Sequence, residues 1–500
     1  MQGPRDTSSS KVREKLNHPV IDTDGHMLEF LPALLDYVKQ VAGASIAQRV
    51  EEAMYQSGRG RWHDRTPEDR RKWRASRPPF WAIAAKNNMD RAAAMLPRLL
   101  RERLDSLGID FGIIYPTTGF ILPEILQEKE IRLAACRAQN IMVAEMFAGC
   151  EDRLTPAATI PCHTPEEAIA ELNHCVTQLS LKVAMITNLV RRPVEALADR
   201  EPEITSQAVW ADVLALDSAY DYDPLWAKCA ELKVAVTAHS QSQGFGFRRS
   251  HTNYMYNQTG HFADAAHAFA KALFFGGVTA RFPNLNFAFL ECGVAWGCTL
   301  YTDLMERWKK RNGTAIDNYN PAHLDMAFLG EMFERYGTPT FAKYVKGDGI
   351  GGRQLIGLKP ESSHGEFGDS SPVDEFMAAQ IKSVQDLYDR YVPNFYFGCE
   401  ADDPLTPVAF RKDWFPLKAR FNAMLGSDIG HWDVTDMTTV LGEAYELVTD
   451  GLISEKDFED FTFTNAIKLH AGMNPDFFKG TVVEDSVDAV LRNESVKNTV

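Results

Sequence analysis

Carboxylate and imidazole side chains recur in this sequence directly after short apolar segments. Six of them follow four such segments: Asp24, His26, His239, Glu291, Asp428 and His431. Imidazole and carboxylate ligands together suit zinc, manganese or iron, and such sites leave coordination positions open for water and substrate. The pattern therefore predicts a divalent-metal site whose ligands come from distant parts of the chain.

Each of these residues also has an ordinary structural interpretation. Asp24 is a common turn residue, and His26 alone is more often a buried histidine with a hydrogen-bond partner. Glu291 fits an ion pair with an arginine, and Asp428 fits a helix cap. The joint pattern favours a site, because Asp24 and His26 are two residues apart and alternate residues of a strand point the same way.

The elements that must position these residues are short apolar segments separated by helical stretches. Eight strands are predicted, near 20–24, 111–115, 155–160, 181–187, 233–239, 285–291, 394–399 and 421–427. Most are far enough apart for a crossover helix, which implies parallel pairing. We predict a (β/α)8 TIM barrel in a single domain over residues 1–500, in preference to an open doubly wound sheet. Barrel enzymes build their sites at the C-terminal ends of the strands, where the six residues fall.

Two long segments interrupt the alternation. Residues 31–100 follow the first predicted strand and include an Arg- and Trp-rich stretch at 59–81, and residues 302–390 follow the sixth. Loops after barrel strands lie over the active face, so we expect both insertions to cover it. The Gly-rich stretch KGDGIGGRQ at 346–354 does not match a phosphate-binding loop and is interpreted as a flexible loop.

Several stretches resemble one known family when read in order. They are IDTDGHMLE, LGIDFGIIYP, DRLTPAATIP with TPEEAIAEL, RFPNLNFAFLECGVAW, MLGSDIGHWD and NAIKLHAG. Together they resemble the amidohydrolase-related family of metal-dependent hydrolases and decarboxylases that includes aminocarboxymuconate-semialdehyde decarboxylase. The resemblance runs from about residue 19 to 473 and matches the two insertions poorly.

The resemblance implies a ligand set for the metal. The family's first strand carries H-x-H or D-x-H, which corresponds to Asp24 and His26, and the further ligands correspond to His239 and Asp428. The family's decarboxylases have a catalytic histidine after strand six, where this chain has Glu291. A glutamate there acts as a general base or binds a second metal. Zinc is the expected ion, with manganese or iron as alternatives and one or two ions per chain.

Five residues are candidates for substrate contacts or proton transfer. Arg248 and Arg249 are suited to bidentate binding of a substrate carboxylate. Glu29 is a candidate ligand or substrate contact, and His431 is a candidate substrate contact. His261 is either a proton shuttle or a helix-packing residue.

These residues favour one reaction class and leave others open. Our leading prediction is a metal-dependent hydrolase, with Glu291 or Asp428 as general base. Its substrate would be a small acidic or aromatic compound with a C–N, C–O, C–S or C–C bond to cleave. The alternative is non-oxidative decarboxylation of an aromatic or unsaturated acid. A binding protein on an inactive barrel and an oxidoreductase are less favoured, the latter because no G-x-G-x-x-G follows a predicted strand.

Composition narrows the partners and the compartment. The net charge is −15 and no Lys/Arg-rich run is present, which argues against nucleic acid as a partner. Eight scattered cysteines without a C-x-x-C pair are typical of reduced thiols in a cytosolic enzyme. No apolar signal or membrane-spanning stretch is present. We expect a soluble cytoplasmic protein with a small-molecule substrate, and the resemblance suggests a homo-oligomer such as a dimer.

Overall fold

The described part of the chain falls into two compact units. A computed structural model describes residues 6–56, 62–79, 86–197, 199–200, 208–319, 323, 325–340 and 374–497. The first unit comprises Met1–Tyr301 and Tyr388–Val500, and the second Thr302–Leu387. The Gly-rich stretch at 346–354 lies outside the described residues, as do the two ends of the Arg- and Trp-rich stretch.

Ten strands are described, all in the first unit. They are β1 (Ile21–Met27), β2 (Phe111–Pro116), β3 (Leu154–Ile160), β4 (Val183–Ile186), β5 (Val190–Pro193), β6 (Val209–Asp212), β7 (Val236–Ala238), β8 (Phe287–Phe289), β9 (Phe395–Cys399) and β10 (Asn422–Leu425). Eight of them pair in parallel in the order β1-β2-β3-β4-β7-β8-β9-β10. Strands β5 and β6 form a separate antiparallel hairpin.

The eight-stranded sheet is a nearly closed barrel. Loop backbone after β10 meets β1, since Asp428 N–H donates to the Asp24 carbonyl at 2.9 Å and His26 N–H donates to the Ile429 carbonyl at 2.7 Å. All eight predicted strands are therefore confirmed, and with them the (β/α)8 barrel. The β5–β6 hairpin is an addition that the sequence did not predict.

Helices precede, separate and follow the strands along the chain. Those before β4 are α1 (Ser8–Arg13), α2 (Leu31–Ala42), α3 (Ala44–Gln56), α4 (Pro67–Lys72), α5 (Asn88–Met95), α6 (Pro97–Leu107), α7 (Thr117–Ile125), α8 (Lys129–Phe147) and α9 (Pro165–Thr177). Those between β6 and β9 are α10 (Asp223–Glu231), α11 (Tyr254–Gln258), α12 (His261–Phe275), α13 (Val278–Arg281), α14 (Ala295–Arg311), α15 (Met326–Tyr336) and α16 (Val384–Tyr391). After β10 come α17 (Val440–Thr449), α18 (Glu455–Glu459), a π-helix (Asp460–Thr464), α19 (Asn465–His470) and α20 (Glu484–Lys497).

Single 3-10 turns complete the described elements at Glu195–Leu197, Ala315–Tyr319, Thr406–Phe410, Lys412–Trp414 and Pro416–Lys418. Helix α9 begins after its N-cap Thr164, which accepts a hydrogen bond from Glu167 N–H at 3.2 Å. The Glu167 carboxylate pairs with Arg132 at 2.9 Å. None of the described helices is long and apolar enough to cross a membrane.

The C-terminal segment covers the N-terminal end of the barrel. One apolar cluster joins inward-facing strand residues such as Ile113 and Met185 to Phe477 and Phe478 after α19. The Phe478 ring lies 5.4 Å from that of Phe111, the first residue of β2. The opposite, C-terminal end of the barrel is where the polar side chains gather.

The insertion between β1 and β2 divides into two parts. Helices α2 and α3 pack on the outer helix α8 through a buried apolar cluster that includes Leu34, Val50 and Met142. The later part reaches the loop after β7, where Arg77 N–H donates to the Ser250 carbonyl at 2.8 Å. This hydrogen bond ties the later part of the insertion to a loop at the C-terminal end of the barrel.

Candidate active site

Strand β1 supplies two side chains to the site. All seven of its residues are buried, and Asp24 and His26 point the same way because they are alternate residues. Asp24 Oδ1 lies 3.4 Å from His26 Nε2. Asp22 lies two residues before Asp24, and its buried carboxylate accepts hydrogen bonds from Ser427 N–H at 2.9 Å and Ser427 Oγ–H at 2.5 Å.

The loop after β10 supplies Asp428. Its Oδ1 lies 3.4 Å from His26 Nε2. The loop approaches β1 closely at Gly430, whose φ is +98° and where an added Cβ would lie 2.2 Å from the His26 carbonyl oxygen. Only glycine fits that approach, so Gly430 helps to bring Asp428 against β1.

The ends of β7 and β8 complete the cluster with His239 and Glu291. Glu291 Oε2 lies 3.2 Å from His239 Nε2 and 3.8 Å from His26 Nε2. Glu291 and Asp428 both have left-handed backbone conformations, with φ of +50° and +52°. Such conformations are unfavourable for residues with a Cβ and are concentrated at functional sites.

Burial and mutual repulsion set the electrostatics of this cluster. Burial raises the pKa of Asp24, Glu291 and Asp428 well above the ordinary carboxyl value, and the neighbouring carboxylates raise it further. Burial also lowers the pKa of His26 well below its usual value and that of His239 to about 3. Several acids and neutral imidazoles in a dry environment are stabilised by a bound cation, which favours the anionic carboxylates.

The donor set fits a divalent metal. Two groups of described side chains have ligand atoms within 4.8 Å of one another: Asp24, His26 and His239, and His26, Glu291, Asp428 and His431. Among the described residues, no group forms a hydrogen bond with either His239 ring nitrogen or with Glu291 Oε2. Buried polar atoms without partners are costly, and metal coordination is one way to satisfy them. The structure thus brings together the four ligands that the resemblance implied, with Glu291 and His431 beside them.

His431 contacts the ligands directly. Its Nδ1 lies 2.6 Å from Asp428 Oδ1, and its ring stacks on that of His26 at a centroid distance of 3.5 Å. Its Nε2 lies 3.0 Å from Thr117 Oγ1, at the start of α7. These contacts help to fix the orientation of Asp428.

Glu29 lies at the start of α7 rather than among the ligands. Its carboxylate accepts hydrogen bonds from Thr118 N–H and Gly119 N–H, each at 2.8 Å, and from Gln139 Nε2 at 2.9 Å. A carboxylate at this position satisfies unpaired N–H groups and interacts favourably with the helix dipole. One residue further along α7, Phe120 stacks on His239 with ring centroids 5.0 Å apart.

A cavity of about 330 Å³ opens beside Glu291. It is lined by Gln258, Gly260, His261, Phe262, Ala263, Glu291, Cys292, Gly293, Glu400, Asp402, Asp403 and Pro404. Burial and the nearby carboxylates raise the pKa of Glu400 to about 8. Burial lowers the pKa of His261, the first residue of α12, to about 3, and its Phe262 neighbour forms an edge contact with His239.

The two candidate arginines bond to their own loop. Arg248 Nε pairs with Asp264 at 2.6 Å, and its Nη1 donates to the Asn257 carbonyl at 3.3 Å. Arg249 Nε donates to the Gly244 carbonyl at 2.6 Å. Both guanidinium groups therefore already have partners, in the segment between β7 and α12 and, for Arg248, in α12 itself.

Sequence reasoning missed three residues that support the site. Thr117 and Phe120 belong to a helix whose start the sequence did not reveal, so their proximity to His431 and His239 had no sequence signal. Asp22 did have one, because it precedes Asp24 and His26 at the same spacing of two in IDTDGH.

Solved structures share this fold at low sequence identity. An amidohydrolase from Mycobacterium avium subsp. paratuberculosis K-10 is 16% identical, with 91% of this chain and 98% of that chain covered and a TM-score of 0.51. A 5-carboxyvanillate decarboxylase from Novosphingobium aromaticivorans DSM 12444, complexed with manganese, is 13% identical over 94% and 99% of the two chains, with a TM-score of 0.46. A dihydroxybenzoic acid decarboxylase from Polaromonas sp. JS666, with bound manganese, is 15% identical over 91% and 97%, with a TM-score of 0.44. At such identities the first of these likenesses shows the barrel fold alone.

A family comparison adds evidence from the sequence itself. Residues 104–344 match the family model described as amidohydrolase. This stretch runs from the end of α6 past β8, and so contains both His239 and Glu291. The match confirms the resemblance carried by the sequence motifs: over these residues the chain is similar to the amidohydrolase family.

Proposed function

We propose that this protein is a metal-dependent hydrolase that activates water to cleave a C–N, C–O, C–S or C–C bond in a small organic substrate. The observation that carries the proposal is the position of Glu291. It is a buried carboxylate beside two metal-capable histidines, its Oε2 has no hydrogen-bond partner among the described residues, and it lines the cavity. A group so placed is suited to accept a proton from an attacking water.

The proposed ligands of the metal are Asp24, His26, His239 and Asp428, and zinc is the ion we propose. When bound, such an ion lowers the pKa of water from about 15.7 towards about 7 and polarises the bond to be cleaved. Stacking of His431 on His26 and its contact with Asp428 hold these two ligands in place. In other enzymes, contacts that orient the metal ligands in this way raise the affinity for the metal.

The chain's own groups then divide the work of hydrolysis. Glu291 Oε2 takes a proton from water that enters through the cavity and returns it to the leaving group. The aromatic rings of Phe120 and Phe262 pack against His239 and shield this side of the site from bulk water. Exclusion of bulk water strengthens each electrostatic interaction within the site.

Glu291 also supports hydrolysis over decarboxylation. Non-oxidative decarboxylation requires that a proton be delivered to carbon, and the family resemblance places a histidine at this position for that purpose. A bound cation would favour the anionic form of Glu291 despite its raised pKa, and a carboxylate that has lost its proton is an acceptor and not a donor. Hydrolysis starts with a proton acceptor, which is what Glu291 offers.

Metal content is the first test. Mass spectrometry of the purified chain should find about one zinc, manganese or iron per chain, and Asp428→Ala should lose it. Asp36→Asn, which removes the same charge from the exposed outer face of α2, should retain it. A wild-type chain that binds no metal even after supplementation would contradict the proposal.

A substrate panel tests the reaction. We expect the metal-loaded protein to turn over at least one class among amides, esters, thioesters and vinylogous diketones. Glu291→Gln should keep its metal but lose about 10²- to 10⁴-fold in turnover, the usual contribution of a general base. Release of carbon dioxide from hydroxybenzoates or muconates, with no turnover of the hydrolytic panel, would favour a decarboxylase instead.

A further inference from the structure

We infer that the cavity beside Glu291 binds a positively charged amine of the substrate, so that the substrate is an organic cation rather than a carboxylate. The inference rests on the proposed function only in identifying the bound cation as a substrate, since the binding of a cation can be measured without turnover.

Acidic side chains form one wall of the cavity. Glu400, Asp402 and Asp403 follow β9 and line it together, opposite the first residues of α12. Glu291 lines it from the metal side, with only 5% of its side chain exposed and with Oε2 unpartnered among the described residues. The cavity therefore has a buried acceptor at its inner end and three more carboxylates beside it.

These carboxylates are not neutralised by basic side chains. Within the described parts of the chain, no lysine or arginine forms an ion pair with Glu400, Asp402, Asp403 or the nearby Asp433. A divalent ion would balance only two of the three charges of Asp24, Glu291 and Asp428. The space in front of the metal site therefore keeps a strongly negative potential, which a low-dielectric wall increases.

The arginines do not reverse this potential. Arg248, whose guanidinium lies near Gly260 at the cavity edge, is paired with Asp264 and donates to loop carbonyls. The backbone contact of Arg249 with Gly244 holds it in the same loop. A substrate carboxylate in the cavity would face Glu400 and Asp403 with no unpaired guanidinium among the described lining residues, and like charges so placed repel.

The rest of the lining suits the organic part of such a cation. Phe262 and Pro404 contribute apolar surface beside the acids. An aromatic ring next to a carboxylate wall is a favourable environment for an ammonium group, through both ion pairing and cation–π attraction. An arylalkyl ammonium ion thus matches the cavity in charge and in its apolar surface.

Matched probes of opposite charge test the inference. Benzylammonium and benzoate are similar in size, and their binding to the zinc-loaded full chain is measured by isothermal titration calorimetry at low ionic strength. The pH is about 8.5, because Glu400, whose pKa is raised to about 8, is then mostly ionised. We expect benzylammonium to bind at least about tenfold more tightly than benzoate. Glu400→Gln and the exposed Asp402→Asn should each weaken it by about tenfold, whereas the control Asp36→Asn should not. The second variant keeps the test valid if the buried Glu400→Gln chain fails to fold.

Three results would overturn the inference. Benzoate that binds as tightly as benzylammonium, or no binding of either, would show that the acidic wall does not select a cation. A second metal equivalent that Asp402→Asn removes would show that the wall holds an inorganic ion instead. Benzylammonium binding without turnover of the hydrolytic panel would count against the proposed function alone. Turnover of neutral or acidic substrates without benzylammonium binding would count against the inference alone.

Discussion

Two non-glycine residues hold their side chains in the site from left-handed backbone conformations. Glu291 and Asp428, with φ of +50° and +52°, follow β8 and β10 respectively. For a residue with a Cβ such a conformation costs roughly 1–2 kcal/mol. The side chains must therefore be retained for a reason other than backbone stability, and binding a cation provides one.

Replacing Glu291 separates backbone strain from side-chain chemistry. Glu291→Gly relieves the strain, whereas Glu291→Ala keeps it and removes the same carboxylate. We expect the glycine variant to be about 1 kcal/mol more stable than the alanine variant by urea unfolding in the presence of a chelator. Both should lack hydrolytic activity. Equal stability of the two variants would mean that the left-handed conformation carries no cost at this position.

The sequence predicted the identity of these residues but not their conformation. Asp24, His26, His239, Glu291 and Asp428 were found because each follows an apolar strand, and strand ends meet at one face of a barrel. A left-handed φ is usually marked by glycine or asparagine, and neither Glu291 nor Asp428 carries that signal. Glu29 is the reverse case. Its place near the metal motif made it a candidate ligand, but its carboxylate accepts hydrogen bonds from the start of α7 instead.

At the scale of elements, α7 connects the first strand to the site. Its start is held by Glu29, its first residue Thr117 contacts His431, and Phe120 on its next turn stacks on His239. Loss of the Glu29 carboxylate leaves two backbone N–H groups and the Gln139 amide without their acceptor. Through α7, Glu29 therefore helps to position His431 and His239, although it is not among the proposed ligands.

We expect Glu29→Ala to destabilise the protein by about 2 kcal/mol, as removal of a helix N-cap and exposure of buried donors require. Chemical denaturation at pH 7.5 measures this loss. Metal stoichiometry and benzylammonium affinity should stay within about twofold of wild type, since Glu29 does not line the cavity. Unchanged stability with a large loss of ligand affinity would instead make Glu29 a substrate contact.

Element prediction succeeded where periodicity was strong and failed where local signals were weak. The eight barrel strands are short buried runs bounded by polar residues, so their pattern was sufficient. Strands β5 and β6, VRRP and VWAD, are short and contain charged residues and a proline, which hid the hairpin. The packing of α2 and α3 on α8 depends on contacts between distant segments, which one sequence does not encode as a local pattern.

At the scale of the whole molecule, buried histidines link stability to pH. His470 is fully buried beneath the barrel, its ring stacks on Phe477 at 4.4 Å, and its Nε2 has no partner among the described residues. Burial lowers its pKa from 6.5 to about 3. Below pH 6.5 the unfolded chain binds a proton at this position and the folded chain does not, so stability falls as the pH falls from 6.5 towards 3.

The same linkage gives the size of the effect and its test. From pH 7.5 to 5.5 this single histidine should cost about 1.4 kcal/mol of the free energy of unfolding, since one pKa unit corresponds to about 1.36 kcal/mol. His470→Phe keeps a ring against Phe477 but has no group to protonate, so the variant should lose about 1.4 kcal/mol less than wild type over this range. Urea unfolding in the presence of a chelator measures both proteins, and the other buried histidines contribute equally to each. An identical loss in the two proteins would show that position 470 takes up its proton in the folded state, and the polar surroundings that this requires would contradict its apolar packing.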